Sequence, residues 1–119
     1  MARPLVVKVT CGTDDAERCN QGLTVAATAL TAGAEVSLWL TGEGAWLGVP
    51  GGVDLKLPHA AAADDLVAAV LAGGRVTVCT QCAVRRGITE DAVLPGVRIA
   101  GAATYVEEVL APDAQAIVY

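Results

Sequence analysis

At 119 residues the chain is a single domain, residues 1–119, and scaling of surface with mass leaves about 6,000 Å² accessible out of roughly 17,400 Å² extended, enough burial to dispense with disulfides. Hydrophobic content of 54% against 18% charged excludes disorder, and a net charge of −5, with no aromatic residues interleaved among the eight basic ones, argues against nucleic acid. The uncharged stretch Cys19 to Ala34 carries Asn20, Gln21 and three threonines, and Lys8, Asp14 and Asp15 interrupt the first apolar run; neither a membrane span nor an export signal is expected, and four cysteines then point to a reducing cytoplasm.

Leu5 to Val9 is a short apolar run of the kind a strand covered on both faces shows, closed by Cys11-Gly12. Asp14 followed by Glu17 resembles a capping box. From there Ala16, Cys19, Leu23, Ala26, Ala27 and Leu30 recur at helical spacing up to Gly33. Val36 to Leu40 is a second buried strand. The glycine-rich stretch Gly42 to Gly52 reads as a loop, with Trp46 and Leu47 in it.

Ala60 to Ala72 is a second helix, with Asp64 and Asp65 in its early turns and Gly73-Gly74 as its stop. Val76 to Cys79 is a third strand, Thr80 to Arg86 about two helical turns, Val97 to Ile99 a fourth strand, Ala102 to Leu110 a last helix and Ala116 to Val118 a last strand. This alternation predicts a three-layer α/β/α sandwich around a mostly parallel five-stranded sheet, its strand order open. The apolar content exceeds what one small interior should need; the surplus is expected at an interface between copies, with Trp46 and its loop as contributors.

In an open parallel sheet the ligand crevice lies beyond the carboxyl ends of the strands. Cys11, Thr41 to Glu43 and Cys79 fall there. A thiol at such a tip, followed by the unpaired amides from Thr80 onward and by Arg85 and Arg86, has the setting of an activated nucleophile. Its alternative is a packed small hydrophobe. The spacing Cys79-Thr80-Gln81-Cys82 suits a redox dithiol, half a zinc site, or a nucleophile with a resolving partner. Zinc would need Cys11 and Cys19 as the second pair, but one lies on a loop and the other inside a helix facing the core, so no metal is expected. Asp14 and Asp15 read as helix-start charges, which also disfavours a nucleotide phosphate at that turn. His59, alone after Pro58, suits a surface or capping role.

Val76 to Cys82, Arg86-Gly87-Ile88, Leu94-Pro95-Gly96-Val97 and the closing Ala114 to Tyr119 together resemble the DsrE/DsrF-like family, in its YchN-like branch. The resemblance spans the chain and is most specific from Cys79 to Val97. It implies an α/β/α sandwich, a sulfur-carrying cysteine at Cys79, an accompanying Arg86-Gly87, persulfide carriage in sulfur relay or sulfur oxidation, and assembly as trimers or hexamers. It also implies that Cys82 is not required for carriage, since some relay members lack its counterpart, and that Cys11 stands where a small or polar residue is usual.

The expectation is therefore a cytoplasmic sulfur carrier, sulfurtransferase-like, that holds a persulfide on Cys79 between donor and acceptor proteins, with no bound cofactor. Cys11, Gly12, Thr80, Arg85 and Arg86 would line the pocket or stabilise the thiolate, and Cys82 would act as a resolving thiol. The alternatives are a non-catalytic oligomeric scaffold or regulatory subunit, or a small dithiol oxidoreductase using Cys79 and Cys82.

Overall fold

The computed structural model describes residues 2–119. Five strands form one parallel sheet in the order β4-β3-β2-β1-β5: β1 (Pro4–Val9), β2 (Glu35–Leu40), β3 (Arg75–Cys79), β4 (Arg98–Ala100) and β5 (Gln115–Val118). The helices are α1 (Ala16–Thr31), α2 (Ala63–Gly73), the short α3 (Thr80–Arg85) and α4 (Ala102–Val109). From β1 to β4 each strand is laid beside its predecessor in one direction, so right-handed crossovers put the intervening helices on one face. The last connection runs back across the sheet from β4 to β5, and the same handedness puts α4 on the other face.

The two faces differ in chemistry. Strand alternation sends Val7, Val9, Val36, Leu38, Leu40, Val76 and Val78 to the α1 and α2 side, where they pack with Leu23, Ala26, Val67 and Val70. The opposite side receives Lys8, Ser37, Trp39, Arg75, Thr77 and Arg98. α4 lies there and buries no residue fully, and β5 is exposed throughout.

The elements fall where expected, with local differences. A turn of 3-10 helix, Thr13–Asp15, precedes α1; Asp14 accepts from the Gly12 amide at 2.8 Å, and the cap of α1 is Asp15, accepting from the Arg18 amide at 3.4 Å. The cap is thus one residue later than the expected Asp14, which is already engaged by its own turn, and it is a single N-cap bond rather than a capping box with Glu17. α2 begins at Ala63 rather than Ala60, since no side chain caps the run of alanines before it. The glycine-rich stretch begins with a second 3-10 segment, Gly42–Gly48. Its Leu47 is buried and Trp46 packs against the core, so the exposed large apolar side chains lie elsewhere: Val84, Val106, Leu110, Ile117 and Val118.

Candidate functional site

Cys79 ends β3, pairs with Ala100 across to β4, and is the extended residue that leads into α3. By alternation it falls on the same side as Thr77 and is half-exposed. Burial pushes the Cys79 thiol up, but the Cys82 amide and thiol, the Gln81 amide and the Lys8 charge together outweigh it and hold the thiol below its ordinary value. Amides at the start of α3 are available to the sulfur because no preceding turn of helix claims them.

Cys82, one turn on, is buried in the core, and its Sγ accepts the Gly42 amide at 3.2 Å. Gly42 has φ of 55°, and a side chain there would meet the Thr10 carbonyl oxygen at 2.5 Å, so the position demands glycine. The Arg86 guanidinium holds α3 against this loop: Nε donates to Glu43 Oε2 at 2.8 Å and Nη1 to the Cys82 carbonyl at 3.2 Å. Gly12 backs the loop from the other side, with room for no Cβ against the Glu43 carbonyl, 2.7 Å away. Arg86, Gly12 and Gly42 thus position the segment carrying Cys82.

The remaining candidates divide. Thr80 lies exposed at the start of α3 beside Cys79, and Arg85 is exposed, forming no ion pair among the described residues. Cys11 and Cys19 are buried. Burial and then Asp15 and Asp14 push the Cys11 thiol up; burial, then Cys11 and the same carboxylates, push Cys19 up to about 12. Both stay protonated at neutral pH, in contrast to Cys79, whose surroundings favour the thiolate. His59 is exposed, with φ of 58°.

Sequence reasoning missed the polar layer beneath Cys79. Glu108 of α4 accepts from Ser37 Oγ, from Trp39 Nε1 at 3.0 Å, from Arg75 Nη1 at 3.2 Å and from Arg98 Nη2. Burial raises its pKa, but the Ser37, Trp39 and Arg98 hydrogen bonds and the Arg98 charge hold the carboxyl below its ordinary value. Trp39 is buried under Tyr105, edge to face at 5.2 Å, and Lys8 Nζ lies 5.0 Å from the Tyr105 ring centroid. The available signals were the polar residues that interrupt the strands, Lys8, Ser37, Thr77 and Arg98. A cleft of about 440 Å³ lined by Leu5, Ser37, Arg75 and Glu108 opens at the amino ends of the strands, the end away from Cys79.

A model of the DsrE/DsrF-like family matches residues 5–115. Among solved structures, the ychN protein from E. coli superposes with a TM-score of 0.82 at 18% identity, covering 100% of both chains. The protein of unknown function MTH1491 from Methanobacterium thermoautotrophicum superposes at 0.73 and 12% identity, again over 100% of both. No curated protein matches the chain. No helix among the described residues is long and apolar enough to cross a membrane.

Proposed function

Since the chain belongs to the DsrE/DsrF-like family, which is associated with sulfur relay, we propose that it carries a sulfur atom as a persulfide on Cys79 and delivers it to an acceptor protein. The observation that supports this most directly is the half-exposed Cys79 thiol, lowered by the amides of Gln81 and Cys82 at a strand tip. Loading is the attack of the Cys79 thiolate on the outer sulfur of a donor persulfide, R–S–SH. The new bond is Cys79–S–SH, the donor S–S bond breaks, and R–S⁻ leaves with the electron pair. Delivery is the same exchange with the acceptor thiolate attacking. Neither step changes the total oxidation state, so no cofactor takes part.

Cys82 acts on this reading as a resolving thiol. Once deprotonated, it attacks the Cys79 sulfur, expels HS⁻ and closes a Cys79–Cys82 disulfide, which shortens the life of the cargo. The hydrogen bond from the Cys82 thiol to Cys79 supports their proximity. The reading also includes a cytoplasmic homotrimer or homohexamer. Exposed Val106 and Leu110 at the last helix, with Ile117 and Val118 on the edge strand, are the apolar surface that such an assembly would cover; a monomer by light scattering at micromolar concentration would remove this part.

Mass spectrometry after exposure to a polysulfide donor tests the assignment. Cys79→Ser is expected to gain no sulfur, and Cys82→Ser to load and hold it longer than the parent. Added mass that survives in Cys79→Ser and vanishes in Cys82→Ser would show that the other thiol is the carrier; a disulfide in the parent together with no added sulfur in Cys82→Ser would favour a dithiol oxidoreductase.

A further inference from the structure

Lys8 is a half-buried cation on β1, one strand in from the edge strand β5, and it forms no ion pair among the described residues. Its neighbours are not carboxylates seeking a partner: Glu108, the acid on this face, is taken by Arg75 and Arg98. Lys8 instead rests over the Tyr105 ring, and burial pushes the Tyr105 hydroxyl up, so that residue stays neutral. The ammonium charge is therefore left uncompensated.

The register places that charge near the reactive sulfur. Lys8 is opposite Trp39, and Trp39 is opposite Thr77; Cys79 is two residues beyond Thr77 on the same side. Lys8 and Cys79 are thus two strand spacings apart, about 10 Å across the sheet, with one two-residue step of about 7 Å along it. A lysine stem spans much of that distance. Tyr105, on which the ammonium rests, is in the first turn of α4, just after the β4 residue Ala100 that pairs with Cys79.

We propose that Lys8, seated on Tyr105, forms a subsite for the anionic end of an inorganic polysulfide beside Cys79. This rests on the carrier reading, and it addresses a difficulty in it: a thiolate attacking a polysulfide brings two anions together. With a polysulfide dianion, Cys79–S⁻ attacks the terminal sulfur, one S–S bond forms and one breaks, and the electron pair leaves on the shorter polysulfide dianion. Cys79–S–S⁻ remains, so total charge is unchanged and no oxidant is consumed. A fixed cation offsets the repulsion on approach and then faces the persulfide anion.

The test compares two alkylating reagents of similar size, iodoacetate and iodoacetamide, by their rates at Cys79 followed on the Cys79 peptide. Accessibility and thiolate fraction affect both rates, so their ratio reads the local charge. Lys8→Gln is expected to lower the iodoacetate-to-iodoacetamide ratio about fivefold, and Lys8→Arg to restore it. Polysulfide loading should slow with the ratio, while attack on the central sulfur of a neutral dialkyl trisulfide, which forms the mixed trisulfide Cys79–S–S–S–R and releases R–S⁻, is spared. An unchanged ratio in Lys8→Gln, or a lowered one that Lys8→Arg does not rescue, overturns the subsite. If Lys8→Gln does not fold, the parent protein decides: its ratio must fall as salt is raised, and a flat response overturns the proposal. A ratio that behaves as stated in a protein that never gains sulfur would leave the anion subsite standing and refute the carrier reading.

Discussion

The two faces of the sheet are built from alternate residues of the same strands, yet they hold the molecule together in different ways. Toward α1 and α2, Val7, Leu38, Val76 and their neighbours form a continuous apolar layer, whose stability comes from close packing and has no polar requirement to meet. Toward α4, Trp39 is the large buried side chain, and around it Ser37, Thr77, Arg75 and Arg98 are joined through Glu108. A polar layer of this kind is stable only when its donors and acceptors match. The cysteine with a lowered pKa lies at the rim of the polar side, and Cys19, whose thiol burial pushes up, lies on the apolar side. The comparison teaches that close apolar packing and a matched polar network are kept apart across one sheet about a residue thick, and that the thiol held below its ordinary value lies on the polar side.

The contrast is most sharply broken from the apolar side. Leu38→Ala removes a fully buried side chain and should lower unfolding stability by about 3 kcal/mol, read by urea denaturation, without changing the rate at which folded Cys79 is alkylated. A parallel loss of Cys79 reactivity would mean that the faces are coupled.

On the polar side, Glu108→Gln leaves the arginines without their counter-charge and should cost about 2 kcal/mol at pH 7. The pH dependence follows from the direction of the shift. The folded carboxyl titrates below the unfolded one, so its contribution is complete above the unfolded value of about 4.3 and is lost as pH falls through the lower folded value. The gap between parent and Glu108→Gln should therefore narrow as pH falls below about 4.3; a gap that holds constant would assign the cost to packing.

The smallest effect is expected at the junction of the two sides. Gly42→Ala forces a side chain toward the Thr10 carbonyl from a positive φ and should cost about 1 kcal/mol or somewhat more. It also displaces the amide that binds Cys82 Sγ. Faster alkylation of Cys82, measured beside that of Cys79, would check that the loop restrains this thiol.

Alternating apolar runs and glycine stops made the five strands, the helices and the position of Cys79 legible without coordinates, because strand period, helix period and the amides after a strand tip all depend on residues close in sequence. The same local reading took Lys8 as a mere interruption of an apolar run and gave Arg85 and Arg86 to the thiol. It saw no partner for Arg86, because Glu43 belongs to a different loop. Nor could it place Glu108 under Ser37, Trp39, Arg75 and Arg98. The sequence by itself determined the elements and the place of Cys79 at a strand tip; the tertiary structure alone decided strand order, the polar side of the sheet and which charged residues meet on it. The physical reason is range: a parallel sheet pairs residues only after long crossovers, so the charges that meet on its face are set by topology rather than by spacing along the chain.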